Sequence, residues 1–405
     1  MGYRWIPISE PDVWDDSVRE AGGGDLYHTA AYHAVSAALD ERYVGGGGEP
    51  FLFVYEDSGG RSANEAVRIA VPLLRHRVDT VAGLEKFAGR YDATSAYGYP
   101  GLLARCDGDS GSSRSGNAVD PGGNAVDPGA VLRFQAAFAA GLRELGIVSF
   151  FGRSNPLCQK ERFWYDGLAD VRRTGWTVAV DLTLLESEQW RRQRRDTRAR
   201  LRQARDAGVT VRESTPYCGV GVGETLRDGD IDGFMRLYDA TMRSVGAASG
   251  YFFPRSYYEN LSRWLGVERV RFVFAELGGE PIAAAIFLVS DGNVSGQGGP
   301  IVQYHLSGSV DDERTRRFGG GTRSILDFMR HRGCEIGAAW LHLGGGVGGR
   351  GPGDPLFDFK AGFSPVTFEF DTVRFIVDPD RYTQLTAAHG GESGDFFPNY
   401  RRSGN

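Results

Sequence analysis

Residues 270–292 read VRFVFAELGGEPIAAAIFLVSDG. Val270–Glu276 is a run of β-branched and aromatic residues, LGGEP is a turn around Gly278 and Gly279, and Ile282–Val289 is a second apolar run. The stretch predicts a hairpin. Working outward, helical spacing occupies Trp190–Ala207, Ile231–Val245 and Arg255–Leu265 before it. After it, a helix is expected over Thr322–Arg332 and a strand near Ala338–Leu343. An earlier part of the chain repeats this plan. FLFVYE (51–56) and VRIAVPLLRHRV (67–78) flank the turn-rich DSGGRSANEA, and a helical pattern over Ala130–Leu145 stops at Gly146 before IVSFFGR. Two α/β modules follow from this, residues 1–172 and 173–382, with the boundary near Arg172–Trp176 and a flexible tail over 383–405. Within the first module the heptapeptide GNAVDPG occurs twice in succession, at 116–122 and 123–129. The tract 106–129 is too rich in Gly, Ser, Asp and Pro to build a core, and is expected to be a disordered surface insert.

The rest of the composition narrows the class. At 405 residues with 41% hydrophobic side chains, the chain can bury one large or two medium cores. A formal charge of −6 argues against a general polycation, so any contact with nucleic acid must come from a local patch. The four cysteines form no CxxC pair, which suits a reducing, cytoplasmic setting. The amino terminus has no apolar h-region, and Ile282–Val289 is too short to span a bilayer, so neither a signal peptide nor a membrane span is expected. The seven histidines form no close ligand set, so no metal site is expected. Only Lys86, Lys160 and Lys360 are lysines; arginine supplies the other 43 of 46 basic side chains.

Three constellations could carry chemistry. In WRRQRRDTRARLRQARDAGVTV, from Trp190, a continuous helix would put Arg191, Arg194, Arg195, Arg198, Arg202 and Arg205 within about 100° of one another. Such a stripe suits phosphate oxygens, the alternative being a solvated face paired with carboxylates from elsewhere. Arg316-Arg317-Phe318-Gly319-Gly320-Gly321 has the spacing RxxGxG just before a helix start, where backbone N–H groups can meet a pyrophosphate; an ordinary flexible connector is the other reading. Finally WLHLGGGVGGRGPGDPLFDFKAGFSP (340–365) runs from a strand bearing His342 through a glycine-rich loop to an aromatic turn holding Lys360 between Phe359 and Phe363. Its GxGxxG frame at 344–349 is followed by Gly351, Pro352 and Pro355 where a dinucleotide-binding helix should open, which excludes that reading. An ammonium beside apolar rings is costly to desolvate without a partner, although a lysine whose stem packs while its head reaches water remains the plain alternative.

Taken in order, Tyr238-Asp239-Ala240-Thr241, Tyr257-Tyr258, GGEPIAAAIF, YHLSGS (304–309) and LHLGGG followed by DPLFDFKAGFSP resemble the FemABX and BioF2-like branch of the GNAT acyltransferase superfamily. DLYHTAAY (25–32) and YGYPG (97–101) are similar to motifs of that branch. The resemblance covers about residues 1–380 and is most specific at FKAGF. It implies two GNAT-like α/β domains, mixed sheets flanked by helices and joined across a cleft, that move an aminoacyl group from aminoacyl-tRNA, or an acyl group from a coenzyme A thioester, to an amine. By it, Lys360 with Phe359 of the FK motif is the catalytic candidate. Arg316, Arg317, Gly319 and Gly321, with Arg194 and Arg198, would hold the donor. Tyr97, Tyr99, Arg200, Arg202, Tyr238 and Thr241 would hold the acceptor. The FemA-type coiled-coil arm has no counterpart here, and His342 with Gly344 stands where many members carry an acidic residue before glycine.

The expectation is therefore an N-acyltransferase that passes an aminoacyl group from aminoacyl-tRNA to a small-molecule, peptide or peptidoglycan-precursor-like amine, with no covalent acyl-enzyme and no tightly bound cofactor. An acyl-CoA-dependent transferase is the second reading. A non-catalytic protein that binds RNA or a nucleotide-linked precursor is the third.

Overall fold

The computed structural model describes residues 2–57, 66–106, 118–119, 125–126, 128–158, 161–214, 217–218, 224–225, 228–290, 299–390 and 394–402. The chain divides into two compact units, one of Met1–Glu41, Gly45–Thr174 and Phe370–Asn405, the other of Arg42–Val44 and Gly175–Glu369.

In chain order the first unit begins β1 (Gly2–Pro7), α1 (Pro11–Glu20), α2 (Ala30–Ala37), β2 (Glu49–Asp57), β3 (Val67–Arg77), β4 (Tyr91–Thr94) and β5 (Leu103–Cys106). It continues with β6 (Ala118–Val119), β7 (Ala125–Val126), α3 (Pro128–Glu144), β8 (Ile147–Arg153) and α4 (Glu161–Tyr165), and the chain leaves it within β9 (Asp170–Asp181). The hairpin read from FLFVYE and VRIAV is present, Glu49 pairing with Arg75 through to Asp57 with Val67. Strand order is β1-β2-β3-β4-β8, with β5 also on β3; β4 and β8 are parallel. Phe134 and Phe138, one helical turn apart on α3, stack at 5.8 Å and drive into the sheet against Phe53 and Phe150.

Most of the insert 106–129 lies outside the described residues. Where it is described, the Ala-Val pairs of the two heptapeptides form an antiparallel ribbon, Ala118 with Val126 and Val119 with Ala125, and Val126 is buried in the core.

The two motifs DLYHTAAY and YGYPG interlock. His28 contacts Asp25 Oδ1 at 3.0 Å and the Gly101 carbonyl at 3.1 Å, Tyr32 donates to the Tyr97 carbonyl, and Asn155 donates to both Asp25 Oδ2 and the Tyr99 carbonyl. Glu161 closes the hub by accepting from the Leu102 N–H at 2.9 Å. A Cβ on Gly101 would lie 2.2 Å from Glu161 Oε1 and 2.5 Å from the Asn155 nitrogen, so only glycine fits there. Burial pushes the Glu161 carboxyl up to about 8, against the opposing pull of its backbone N–H bonds. Between roughly pH 4.5 and that value the folded state keeps a proton the unfolded chain has lost, so stability falls as pH rises through this window. Glu161→Gln should therefore raise the melting temperature over wild type by several degrees at pH 8.5 and by much less at pH 5; equal shifts at both pH values in a thermal scan would count against an uncharged Glu161.

The second unit contains α5 (Glu186–Arg192), α6 (Arg195–Asp206), β10 (Val209–Glu213), β11 (Tyr217–Cys218), β12 (Glu224–Thr225), α7 (Asp228–Ser244) and α8 (Arg255–Leu265). Then come β13 (Val270–Leu277), β14 (Glu280–Ser290), β15 (Ile301–Ser309), α9 (Glu313–Arg316), α10 (Thr322–Glu335), β16 (Trp340–Gly345) and α11 (Pro355–Ala361). The chain returns to the first unit within β17 (Thr367–Ile376), which is followed by α12 (Pro379–His389). Strands run in the order β9-β16-β15-β14-β13-β10; β15 and β16 are parallel and the other neighbours antiparallel. The hairpin of residues 270–292 is β13–β14, and alternation sorts its side chains. Val273, Ala275, Ala283, Ala285 and Phe287 join the core with Ile325, Leu326 and Met329 of α10. Phe272 instead meets Phe234 of α7. One face of the sheet thus packs on α10, the other on α7.

Two expectations are corrected here. The helix read as Trp190–Ala207 is broken: Gln193 and Arg194 are extended, with ψ of 146° and 150°, because the Arg194 N–H leaves the helix to donate to the Gly362 carbonyl at 2.8 Å. The stretch 383–405, read as a flexible tail after a second domain ending at 382, is described over 383–390 and 394–402, and these residues belong to the first unit. Tyr382, Leu385 and Tyr400 are buried with Val148, and the Tyr400 hydroxyl bonds Ser149 at 2.7 Å. Burying those aromatic rings outweighs the polar composition that suggested a loose end.

Candidate active site

The second unit's sheet opens between its two parallel strands. Pairing of β15 with β16 runs only from Ile301–Trp340 to Gln303–His342, yet β15 continues to Ser309 and β16 to Gly345. Both strands change register here, β15 at His305 against β14 and β16 between His342 and Gly344 against β9. Such bulges bend strands and end pairing. His342 is buried with Nδ1 2.6 Å from Gln303 Oε1, at the last paired position.

Lys360 lies at this opening. The aromatic turn read from the sequence is a helix, α11, because Asp354 caps it and Pro355 occupies its first turn. The Lys360 side chain is 7% exposed; its Nζ donates to the Gly345 carbonyl at 2.7 Å and stands 5.6 Å from the centre of the Tyr304 ring. The head does not reach water as a snorkelling lysine would. Burial lowers its pKa to about 7, with Asp354 pulling weakly the other way. Burial pushes Tyr304 up to about 12, against its bond to Ser307. A group in this position can donate a hydrogen bond to a developing oxyanion when charged, or take a proton when neutral.

Two guanidinium groups converge on the glycine turn beside it. Arg200 Nη1 donates to the Arg317 carbonyl at 2.6 Å, and Arg323 Nη1 donates to the Gly319 carbonyl at 2.8 Å. Arg323 also covers the Phe359 ring at 4.7 Å, linking the turn to the residue beside Lys360. Burial and the nearby Arg200 charge lower the Arg323 pKa, and its buried Nε has no hydrogen-bond partner among the described residues. Gly319 and Gly320 adopt φ of +77° and +81°, and their N–H groups are used within the turn, on the Arg316 and Thr315 carbonyls. A Cβ on Gly321 would press on Ala275 and Ala283 at 2.9 and 3.0 Å, so this glycine is where the α10 amino terminus docks on the sheet. Beside the turn lies a cleft of about 700 Å³, lined by Gln203, Asp206, Ala207, Leu277, Glu313, Arg317 and Phe318.

The arginine stripe divides. On α6, Thr197, Leu201 and Ala204 face inward; Arg200 flanks them toward the glycine turn, while Arg195, Arg198, Arg202 and Arg205 fall on the outer side. Among the described residues, Arg195, Arg198 and Arg205 make no ion pair, and Arg202 lies over the Trp190 ring at 5.6 Å. Arg194 donates to the Asp358 carbonyl. Arg316 is paired with Asp311, and Arg317 is exposed. Tyr238 stacks on Phe234 in the core, and the Thr241 hydroxyl ties α7 to Ser309 of β15. Tyr97 and Tyr99 belong to the first unit, held by the hub described above. The structure thus brings Lys360, Phe359, Gly319, Gly321, Arg194 and Arg200 together on one face of the sheet. Sequence reading assigned no role to Arg323, Tyr304 or Asp354; Tyr304 opens the YHLSGS motif and Asp354 carried a signal as a capping residue before proline, whereas Arg323 carried none.

Residues 191–349 match the acetyltransferase (GNAT) domain family, a span that holds the arginine helix, the glycine turn and the opened strands. This span is a GNAT acyltransferase domain, which makes the protein an N-acyltransferase by class. Its fold is similar to that of FemX, whose crystal structure superimposes with a TM-score of 0.59 at 13% identity, covering 95% of this chain and 99% of that one. A conserved protein of unknown function from Bacteroides thetaiotaomicron (TM-score 0.49, 9% identity, 92% and 99% coverage) and a tandem GNAT protein from the clavulanic acid biosynthesis pathway (0.41, 10%, 92% and 98%) are also similar. No curated protein sequence matches the chain. Among the described residues, no helix of this GNAT protein is long and apolar enough to cross a membrane, and no group of three or more His, Cys, Asp or Glu side chains could hold a metal ion.

Proposed function

We propose that this GNAT protein is a cytoplasmic N-acyltransferase whose donor is aminoacyl-tRNA and whose acceptor is an amine on a small molecule, a peptide or a peptidoglycan-precursor-like compound. The observation that carries the reading is the buried Lys360 ammonium at the opening between β15 and β16, on the same sheet face as the Arg200–Arg323 pair. Phosphates of the donor would meet Arg200, Arg323 and the α10 amino terminus, and its acyl carbon would lie at Lys360. A neutral acceptor amine attacks that carbon, charged Lys360 stabilises the oxyanion, and the ester oxygen leaves with the proton that the amine sheds. The donor ester supplies the driving force, so no covalent intermediate and no tightly bound cofactor is invoked. What favours tRNA is the outer row Arg195, Arg198 and Arg205, which makes no ion pair among the described residues and is separate from the turn.

FemX, by its fold, lends weight to this reading, while the acyl-CoA alternative draws on the family match to acetyltransferases. The test is transfer from total tRNA charged with labelled amino acids, beside transfer from a set of labelled acyl-CoA thioesters, into a pool of amines. Amine-dependent release of label from tRNA alone is the expected result. Release only from thioesters would move the donor to coenzyme A, and tight binding with no transfer from either would leave a non-catalytic binding protein.

A further inference from the structure

We propose that Asp354 is a positioning residue for the acyl-transfer site: one carboxylate oxygen holds both the loop that presents the Gly345 carbonyl and the helix that presents Lys360, and so sets the contact between them. The inference rests on the reading of Lys360 given above. Asp354 Oδ1 accepts from Leu356 and Phe357 N–H at 3.0 Å each, which is ordinary capping of α11. It also accepts from the Val347 N–H at 3.3 Å, seven residues back across the glycine-rich loop. Capping alone does not need that third bond.

The loop is fitted to the carboxylate. A Cβ on Gly346 would lie 2.5 Å from Asp354 Oδ1, and one on Gly345 would lie 2.6 Å from the Trp176 carbonyl, so the two glycines let the backbone close on both sides. Between these fixed points stands the Gly345 carbonyl that receives Lys360 Nζ at 2.7 Å. Asp354 is 7% exposed, and its backbone bonds outweigh the burial that would otherwise raise its pKa, so it carries a charge. Around Lys360 stand Tyr304 on β15, Arg323 over the adjacent Phe359, and Arg194 on the Asp358 carbonyl. Among these groups Asp354 is the carboxylate whose charge supports the ammonium.

The protein's three lysines make the test direct. With lysine labelled at the ε-carbon, the spectrum of the full chain holds three ε-CH₂ resonances, and Lys360→Met assigns the one of interest. Asp354→Asn keeps an acceptor oxygen and removes the charge, so the Lys360 titration should move down by about one pH unit. Asp354→Ala releases the loop as well, so Lys360 should leave the Gly345 carbonyl and titrate nearer the ordinary lysine value of about 10.4. Asp378→Asn, at the comparable cap of α12, is the control for cap loss and should leave the Lys360 titration in place. An unmoved Lys360 titration in both Asp354 variants overturns the inference. The readout does not depend on turnover, so full activity of Lys360→Met would strike the catalytic reading by itself, whereas unmoved titrations with an inactive Lys360→Met would strike only the role of Asp354.

Discussion

Lys360→Met should lower turnover by roughly 10²- to 10³-fold, the scale of losing one oxyanion-stabilising donor, while the protein stays folded. Methionine keeps the length and apolar bulk of the lysine stem and deletes the charge, so the packing of α11 against β16 is retained. The bond to the Gly345 carbonyl is lost, but its lysine partner is the group whose burial was costly in the first place. Because the folded pKa of about 7 lies below the ordinary 10.5, the unfolded chain binds more protons between these values. Wild-type stability should thus rise with pH across that window. The variant should be more heat-stable than wild type at pH 6, with the difference shrinking toward pH 10. In turnover the same pKa acts in the opposite sense. If the charged form assists, wild-type kcat falls as pH climbs through about 7, and Lys360→Arg, with its higher pKa, extends activity to higher pH at a reduced maximum. Since the interaction belongs to the transition state, donor KM should change much less than kcat. A folded Lys360→Met protein with wild-type turnover would defeat the catalytic assignment and leave the fold untouched.

How much of this was legible depends on whether the signal was local. The β13–β14 hairpin could be read from residues 270–292 because period-two alternation and a Gly-Gly turn are properties of the stretch itself. The break at Gln193 and Arg194 could not, since periodicity continues through it and the partner that pulls the backbone out, the Gly362 carbonyl, lies far along the chain. Lys360 stood out by scarcity and aromatic neighbours, but its aim from α11 at a backbone carbonyl of β16 has no sequence signature. Arg323 looked like any arginine of α10 until its guanidinium was seen folded back on Gly319 and Phe359. DLYHTAAY and YGYPG were noticed separately, and only the structure joins them, through His28 on the Gly101 carbonyl and Tyr32 on the Tyr97 carbonyl. The tail failed for a related reason: Tyr382 and Tyr400 are spaced without periodicity, and what buries them is Val148 and Ser149, over two hundred residues earlier.

Reversing two charges of the outer row, Arg198→Glu with Arg202→Glu, is expected to weaken binding of charged tRNA by about 10²-fold or more at low salt. Each reversal removes a phosphate contact and adds a repulsion, and the wild-type affinity should fall steeply with salt while the variant's slope is shallower by about two to four contacts. Thermal stability should hardly move. Arg198 is half-buried on the flank of α6 and Arg202 is exposed; neither makes an ion pair among the described residues, and the contact given up is that of Arg202 over the Trp190 ring. Losing repulsion within the row even works slightly in the fold's favour. The comparison that gives this prediction its force is Arg323→Ala, which opens the glycine turn instead of the outer surface. Any donor that places phosphate at Gly319–Thr322 loses affinity there, whether tRNA or coenzyme A, because Arg323 bonds the Gly319 carbonyl and covers Phe359. A tRNA donor predicts that both variants bind poorly, since a polyanion reaches from the turn across the exposed helix face. A coenzyme A donor predicts that only Arg323→Ala does, since a pyrophosphate ends near the turn and never meets Arg198 or Arg202. Full affinity for charged tRNA in the double reversal, with little dependence on salt, would sink the reading that tRNA is held by this row of α6 arginines, which makes no ion pair among the described residues.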